Sequence, residues 1–270
     1  MKIIRRIKDL SSLISNVGNL GFVPTMGGIH SGHLSLINKS MKKCNKTLVS
    51  IYVNPTQFNN KSDFKSYPRN FKRDINILKN KKIHFVFIPK TAEIYKNKRL
   101  KKIKLPKQKN ILCGKFRKNH FEGVIDIIDR FLKIINPNYI FLGEKDYQQL
   151  FLIKNFFKKK HKVKIISCKT IRNNNFVAQS SRNFLLSKKN MIYAGKIIKK
   201  IKLFKSKIKI NNNYKQSINR FKLFLTRKYK IKIEYLEIRN EKNLGVVKKG
   251  DKFRLFVSYY INKVRLIDNF

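Results

Sequence analysis

Two of the five histidines in the sequence lie three residues apart in a glycine-rich segment. The segment runs Gly21-Phe-Val-Pro-Thr-Met-Gly-Gly-Ile-His-Ser-Gly-His33. Gly27 and Gly28 allow the backbone to approach a ligand closely, and the free amides of a following helix attract phosphate. Imidazoles at His30 and His33 can stabilise the charge that develops as pyrophosphate leaves a nucleotide. The segment therefore predicts a nucleotide-binding loop; the alternative is that either histidine only caps a turn.

Polar side chains directly follow two further apolar runs. Asn54-Pro-Thr-Gln57 ends one of them, and the Gln57 amide offers a donor and an acceptor for a molecule with hydroxyls and a carboxylate; an ordinary Asn-Pro turn is the alternative. Gly143-Glu-Lys-Asp146 ends another. There Lys145 supplies a charge for phosphate oxygens, and Asp146 either holds a ribose hydroxyl or occupies a helix N-cap. Ligands of open α/β sheets bind at the carboxyl ends of strands, so we expect both segments beside the histidines.

A later segment, Ser180-Ser-Arg182, combines two hydroxyls with a guanidinium. These groups suit the closure of a site over a triphosphate. Taken alone, the segment fits a polar linker equally well.

The elements that must position these segments alternate in the first 169 residues. Apolar β-rich runs and amphipathic stretches follow each other, a pattern typical of a parallel sheet covered by helices. The predicted strands are 20–24, 47–53, 83–88, 139–142 and 163–167. The predicted helices are 33–43, 70–80, 123–135 and 147–160, and polar residues 59–66 predict a mobile lid or a plain surface loop. We therefore expect an α/β fold with a Rossmann-like doubly wound parallel sheet in residues 1–169.

The pattern changes after about residue 170. Two Lys-rich helices are predicted at 188–206 and 214–229, and strands at 232–238, 253–260 and 264–267 then follow each other directly. Consecutive strands favour a small antiparallel sheet. We expect residues 170–270 to form a smaller α+β domain that closes over the site.

The charge of the chain suggests a nucleic-acid partner but does not establish one. The sequence has 64 Lys+Arg against 14 Asp+Glu, a formal net charge of +50. The excess is spread along the chain, and lysine occurs with asparagine and isoleucine, which share A/T-rich codons. We interpret the charge mainly as mutational bias, with no specific nucleic-acid partner.

Signals for export, disulfides or a membrane span are weak. The basic start is followed by Asp9 and serines rather than an apolar run, and no stretch is long and apolar enough to span a bilayer. Cys44, Cys113 and Cys168 are odd in number and widely spaced, which favours reduced thiols. We expect a cytoplasmic protein without membrane partners.

The motifs together resemble one family within the H-x-G-H nucleotidyltransferases, the pantothenate synthetases or pantoate-β-alanine ligases. Pro24-Thr-Met-Gly with His30-Ser-Gly-His33 is similar to the ATP loop of that family. The other similar segments, in family order, are Ser50-Ile-Tyr-Val-Asn-Pro-Thr-Gln-Phe58, Tyr67-Pro-Arg69, Gly143-Glu-Lys-Asp-Tyr-Gln-Gln149, Ser180-Ser-Arg-Asn183 and Arg265-Leu-Ile-Asp-Asn269. The resemblance covers nearly the whole chain.

The resemblance implies a homodimeric enzyme that forms pantoyl adenylate from pantoate and ATP, and then pantothenate from the adenylate and β-alanine. It implies catalytic roles for His30, His33 and Lys145, and substrate contacts for Asn54, Gln57, Arg117 and Gln149. The implied ATP-binding residues are Met26, Gly27, Gly28, Ile29, His30, Ser31, Gly32, His33, Gly143, Glu144, Lys145, Asp146, Ile171, Gln179, Ser180, Ser181 and Arg182.

Some positions depart from the family pattern. Asn175-Phe176 replaces an Asp-Gly turn, and Gln179 stands where an apolar residue is usual. The segment with Arg117 and His120 has Lys and Asn in place of Pro and Gly. Asp74, downstream of Tyr67-Pro-Arg69, is a candidate ligand for the Mg²⁺ that accompanies ATP, with a helix-surface carboxylate as the alternative.

Two other functions compete with pantothenate synthesis. The H-x-G-H segment indicates nucleotide chemistry without naming the acceptor, so adenylyl transfer to another carboxylate is one alternative. The other is a basic nucleic-acid-binding protein on a decayed nucleotidyltransferase fold.

Overall fold

The computed structural model describes residues 1–95, 103–158 and 160–270, and its larger part is a six-stranded sheet in the order β1-β4-β3-β2-β5-β6. All neighbouring strands of this sheet are parallel. The strands are β1 (Lys2–Ile4), β2 (Leu20–Thr25), β3 (Lys46–Ile51), β4 (Phe85–Phe87), β5 (Tyr139–Gly143) and β6 (Lys164–Cys168). Apolar side chains occupy both faces, as a parallel sheet between helices requires.

Helices cover this sheet and connect its strands. They are α1 (Ile7–Ile14), α2 (Ser31–Lys43), α3 (Lys61–Ser66), α4 (Phe71–Asn80), α5 (Thr91–Ile94), α6 (Cys113–Phe116), α7 (His120–Ile135) and α8 (Tyr147–Phe157). The most buried of them is α7, which packs apolar residues such as Ile125 and Phe131 against the sheet. It ends where Asn136 takes a left-handed conformation, which asparagine tolerates.

The smaller part of the chain has its own sheet and core. Its elements are α9 (Lys188–Lys207), α10 (Tyr214–Tyr229), β7 (Ile233–Asn240), β8 (Phe253–Ile261) and β9 (Val264–Asn269). The three strands are antiparallel in the order β7-β8-β9. Ile197 and Ile201 of α9 and Leu225 of α10 share a core with buried residues of the sheet.

The expected fold class, a Rossmann-like parallel sheet with a smaller α+β part, is confirmed. The first sheet ends at Cys168, and the domain boundary at residue 169 stays a prediction. Helix α8 ends at Phe157 rather than at Lys160. The expectation of a loop at 59–66 is wrong, because residues Lys61–Ser66 form α3, whose N-cap Asn60 accepts a hydrogen bond from the Asp63 amide at 2.6 Å.

Two further properties bear on the function classes considered above. Among the described residues, no helix is both long and apolar enough to cross a membrane. Cys44, Cys113 and Cys168 are each free and buried.

Candidate active site

The site lies where the connections of the parallel sheet change direction. Strands β2 and β5 are neighbours, with β3 and β4 beyond β2 and with β6 beyond β5. In a doubly wound sheet this point leaves a crevice at the carboxyl ends of the strands. The histidine segment leaves β2 there, the Lys145 segment leaves β5, and the Asn54 segment follows β3. Three of the expected segments therefore meet at one edge.

The loop after β2 needs glycine at two positions. Gly27 and Gly28 have φ angles of +79° and +61°, a left-handed region that disfavours other residues. A β-carbon on Gly28 would lie 2.8 Å from the Ser181 Cβ and Oγ, and one on Gly27 would lie 2.9 Å from a carboxylate oxygen of Asp74. The loop therefore combines its unusual backbone with close contacts on two sides.

Asp74 and Ser181 both hold this loop through its backbone, Asp74 at its amides and Ser181 at its carbonyls. The Gly28 amide donates to Asp74 Oδ2 at 2.7 Å, and the Ile29 amide donates to Asp74 Oδ1 at 2.8 Å. The Ser181 hydroxyl lies 3.3 Å from the carbonyl of Gly27 and 3.1 Å from that of Gly28. The amides of Gly28 and Ile29 are thus already bonded to the Asp74 carboxylate of α4. Together with Ser181, this carboxylate fixes the conformation of the loop.

This geometry corrects our interpretation of Asp74. The side chain is only 1% exposed, so it is not a helix-surface carboxylate. Both of its oxygens accept backbone hydrogen bonds from the loop, and a role for Asp74 as a magnesium ligand stays a prediction. In the described part of the chain, no three His, Cys, Asp or Glu side chains come together as a metal site.

The two histidines of the loop stack on each other. Their ring centroids are 4.0 Å apart with an interplanar angle of 27°. The Gly32 amide donates to Nδ1 of His30 at 3.1 Å, so the proton of a neutral His30 sits on Nε2. His33 Nδ1 is buried and has no hydrogen-bond partner among the described residues. Both rings thus present nitrogen atoms that a bound ligand can satisfy.

Both histidines are neutral at pH 7. Burial lowers the pKa of His30 to about 2, and the neighbouring His33 and Lys145 act in the same direction. Burial lowers the pKa of His33 to about 4; Asp146 opposes this shift and Lys145 adds to it. The pair therefore acts through hydrogen bonds from neutral imidazoles, while the cation beside it is Lys145.

Lys145 belongs to a short 3-10 helix, Glu144–Asp146, that starts directly after β5. Its side chain is only 17% exposed, and its ammonium lies 3.3 Å from Asp146 Oδ1. Asp146 stands at the N-cap position of α8, yet its side chain makes no capping hydrogen bond. The carboxylate is 45% exposed, which leaves it open to a ligand hydroxyl.

Gln57 ends a short 3-10 helix, Pro55–Gln57, that follows β3, and Asn54 is the N-cap of that helix. Asn54 is 1% exposed; its Oδ1 accepts from the Thr56 amide and from the Tyr95 hydroxyl, and its Nδ2 donates to the Gly123 carbonyl at 3.1 Å. The structure therefore uses Asn54 to build the turn. Gln57 is also buried, and its side-chain amide points to Met26, with 2.8 Å between Nε2 and Sδ.

Arg117 and His120 approach Gln57 from the other side. The His120 ring donates from Nδ1 to the Gln57 carbonyl at 2.7 Å, and its Nε2 accepts from Arg117 at 3.0 Å. Burial and the Arg117 charge lower the pKa of His120 well below its ordinary value, consistent with a neutral ring. Burial lowers the pKa of Arg117 to about 10, so the guanidinium stays charged at pH 7. Lys118 and Asn119, which stand where the family has Pro and Gly, therefore leave the hydrogen bonds of Arg117 and His120 intact.

Arg182 lies at the mouth of the site in an ion pair that the sequence did not predict. One of its terminal nitrogens donates to both oxygens of Asp63 on α3, at 2.8 and 3.0 Å. Ser180 caps the 3-10 helix Ser181–Leu185 by accepting from the Arg182 amide. The Arg182 guanidinium is thus held beside the loop before any phosphate arrives.

The altered turn before this segment keeps a tight geometry. Asn173 Oδ1 accepts hydrogen bonds from the amides of Asn175 and Val177, each at 3.0 Å. The left-handed residue is Phe176, with φ of +66°, rather than Asn175. The Gln179 amide then donates to the Ile171 carbonyl at 2.9 Å, which aligns Gln179 with the site.

A cavity of about 270 Å³ joins these groups, near the lower end of the roughly 300–1,000 Å³ of small-molecule sites. The expected residues that line it are Met26, His30, Gly32, His33, Asn54, Gln57, Arg117, Gly143, Lys145, Asp146, Gln149, Ile171, Gln179, Ser180, Ser181 and Arg182. Three others, Gly27, Gly28 and Ile29, are buried within the clamped loop. The two remaining expected residues do not line the cavity. Ser31 is exposed on α2, and the Glu144 carboxylate lies 3.6 Å from Arg254.

Proteins of similar sequence identify the family of the chain. The family model described as pantoate-beta-alanine ligase matches residues 2–270. The chain belongs to this family. A pantothenate synthetase of Pseudothermotoga lettingae is 36% identical over 275 residues, covering 100% of this chain and 97% of that protein. One from Clostridium botulinum is 36% identical over 280 residues, covering 100% of this chain and 99% of that protein.

Solved structures of the pantoate-β-alanine ligase family agree over the whole chain. A Francisella tularensis enzyme, complexed with beta-gamma ATP and beta-alanine, superposes with a TM-score of 0.85 at 35% identity; the match covers 100% of this chain and 97% of that one. The pantothenate synthetase of Thermus thermophilus gives 0.88 at 26% identity, with 100% and 99% covered.

The expected family and enzyme class are therefore confirmed. A nucleic-acid-binding protein on a decayed fold is not supported. Sequence reasoning missed Asp63 and gave no role to Arg265, which lines the cavity and donates to Glu234 at 2.8 Å. The family-like segment Arg265-Leu-Ile-Asp-Asn269 could have indicated Arg265 as a site residue. Asp63 lies outside every motif that we identified in the sequence.

Proposed function

We propose that this protein joins pantoate to β-alanine with ATP through a pantoyl adenylate, and that the cavity between β2, β3 and β5 is where both steps occur. The observation that carries the proposal is the meeting of neutral His30 and His33, the Lys145 ammonium and the Gln57 amide at one strand edge. Family membership supplies the pair of substrates.

In the first step, a pantoate carboxylate oxygen bonds to the α-phosphorus of ATP while the bond to the β-phosphate bridging oxygen breaks. Pyrophosphate leaves with that electron pair. The charge that develops on the phosphate oxygens falls within reach of Lys145 and of His30 Nε2–H, which donates as the neutral tautomer requires. Arg182 adds a second cation once a phosphate replaces Asp63 as its partner.

In the second step, the neutral amine of β-alanine bonds to the acyl carbon, the acyl–oxygen bond breaks, AMP leaves with that electron pair, and the amine gives up one proton to solvent. Gln57 and Gln149 line the cavity, and their amides offer donors and acceptors for the hydroxyl and carboxylate groups of the substrates. Arg117, buried beside His120 and still charged, offers a partner for a carboxylate.

Magnesium, the homodimer and the cytoplasmic location stay predictions. Mg²⁺ normally accompanies ATP through phosphate oxygens and waters, and we assign no ligand of this chain to it. The family resemblance supports a homodimer.

The test is exchange of labelled pyrophosphate into ATP, with MgCl₂ and pantoate and without β-alanine. We expect pantoate-dependent exchange by the wild type. Exchange should fall by about 100-fold or more in His30→Ala, the range for loss of one transition-state donor. Addition of β-alanine should then yield AMP and pantothenate in equal amounts.

His161→Ala is the matched control, because His161 does not line the cavity. Its Nε2 lies 2.9 Å from a carboxylate oxygen of Asp129 on α7. It should exchange at the wild-type rate. Equal exchange with unrelated carboxylates would favour another acceptor, and no exchange by folded protein would refute the proposal.

A further inference from the structure

The end of β9 lies against the loop that carries Lys145. Asn269, only 4% exposed, donates from Nδ2 to the carbonyl of Glu144 and to that of Lys145, both at 2.9 Å. These two hydrogen bonds run from the second sheet to the 3-10 helix that follows β5. The backbone on which Lys145 stands is therefore held by a residue about 120 positions away.

Asn269 is itself held by hydrogen bonds to its side-chain oxygen, its amide and its carbonyl. Arg254 donates to its Oδ1 at 2.9 Å, and its own amide donates to Asp268 Oδ1 at 2.8 Å. Arg172 donates to both oxygens of Asp268, at 2.6 and 2.9 Å, and to the Asn269 carbonyl at 3.3 Å. The side chain thus has one orientation, with its amide N–H groups aimed at the Lys145 loop.

The charge on Lys145 also reaches this cluster. Burial raises the pKa of Asp268, while Arg172 and, more weakly, Lys145 act in the opposite direction. Asp268 and Asn269 thus lie close to Lys145, although neither lies among the residues that line the main cavity.

We propose that Asn269 is a positioning residue for Lys145, fixing the backbone of the lysine loop so that the ammonium meets the phosphates of ATP. The Lys145 side chain is only 17% exposed, so its surroundings leave it little freedom to compensate for a shift of its backbone. A displacement of about 1 Å costs a reaction roughly 100-fold. The inference rests on the proposed function, because it assigns Lys145 to the phosphates.

The test compares Asn269→Ala and Asn269→Asp with Asn240→Ala. Asn269→Asp keeps the acceptor for Arg254 and removes both N–H donors. Asn240 is the matched control: its side chain accepts from the amides of Lys242 and Asn243 within one turn of the second sheet. We expect kcat for pantoate-dependent exchange to fall by about 100-fold in both Asn269 variants, with little change in KM for pantoate. Asn240→Ala should lower the Tm alone.

The deciding measurement is a double-mutant cycle with Lys145→Ala, read by calorimetric titration of ATP without pantoate. Asn269→Ala should weaken ATP binding several-fold in the wild type and not at all when Lys145 is already alanine. Equal weakening in both backgrounds would overturn the proposal. Failure of both Asn269 variants to fold would also overturn it, because Asn269 would then serve the fold as a whole.

The two proposals fail separately. Absence of exchange in the wild type would refute the proposed function, while the ATP-binding cycle would still decide whether Asn269 acts through Lys145. Normal exchange in Asn269→Ala would refute the positioning role and leave the proposed function standing.

Discussion

At Gly28 the missing β-carbon decides how closely two distant segments can approach. The φ angle of +61° and the Ser181 atoms 2.8 Å from the absent Cβ both oppose any larger residue. Its amide also donates to Asp74 at 2.7 Å. One residue therefore joins the loop to α4 on one side and to the Ser181 segment on the other.

We expect Gly28→Ala to weaken ATP binding by roughly 5- to 30-fold. Alanine in the left-handed region costs roughly 1–2 kcal/mol, and 1.4 kcal/mol is a factor of ten in affinity. The Cβ would also push Ser181 away from the loop. Calorimetric titration of ATP measures the change.

Gly18→Ala is the matched control for that substitution. No atom lies within 4 Å of a β-carbon at Gly18, and its φ angle is not left-handed. It should bind ATP as the wild type does. Equal affinities of the Gly28 and Gly18 variants would show that the loop adjusts without cost.

Single residues also mark what the sequence could and could not predict about the site. His30, His33 and Lys145 were identified because they belong to short motifs next to apolar runs. Asp74 on α4 and Asp63 on α3 act through contacts with residues far away in the sequence, and local sequence patterns do not encode such contacts. The sequence indicated Asn269 only as the last residue of a family-like segment and gave it no role.

Among the elements, the turn from Asn173 to Val177 carries a local strain. Phe176 has φ of +66° and is 42% exposed, so its ring gains little from burial. The ammonium groups of Lys199 and Lys202 lie 5.0 and 5.9 Å from its ring centroid. A left-handed non-glycine residue costs about 1–2 kcal/mol, while each exposed cation–π contact returns about 0.5–1 kcal/mol.

We expect Phe176→Gly to change the free energy of unfolding by no more than about 1 kcal/mol in either direction, because strain relief offsets the two lost cation–π contacts. Phe224→Gly should instead lower the stability by about 1 kcal/mol, since glycine disfavours the interior of a helix. Phe224 is also 42% exposed, but it lies in α10. Denaturant unfolding of both variants measures the difference, and equal losses would contradict the assigned strain.

The predicted elements were those with clear periodicity. Strong apolar patterns located β2, β3, β5 and α7 within a few residues. Strand β1 and helix α1 were not predicted, because β1 has only three residues and the basic and serine-rich start of the chain hides the apolar spacing of Ile7, Leu10 and Ile14. Helix α3 was predicted as a loop because a polar helix has no apolar stripe.

At the scale of the whole molecule, the charge of +50 is the dominant property. Lysines cover exposed positions of α9 and α10, while the acidic residues are few and many are already paired. Like charges repel more strongly in the folded chain than in the expanded one, so the charge opposes folding.

We therefore expect the Tm to rise by several degrees as NaCl increases from about 0.05 to 0.5 M, because the screening length falls from above 10 Å towards 3 Å. Thermal melts at several salt concentrations measure this. A variant carrying Lys196→Glu and Lys200→Glu, both exposed on α9, should melt higher at low salt and respond less to salt. A high, salt-independent midpoint of the wild type would refute the expectation.

The pairing of β2 with β5 also sets when the site can form during folding. The Leu20 amide donates to Asn138 Oδ1 at 2.8 Å across 118 positions of sequence. Closing so long a chain segment is slow, because its entropy is lost before the contacts between the two strands stabilise the structure. The histidine loop and the lysine loop therefore come together only once β2 and β5 have paired, and their joint contact with a nucleotide reports that this pairing has formed.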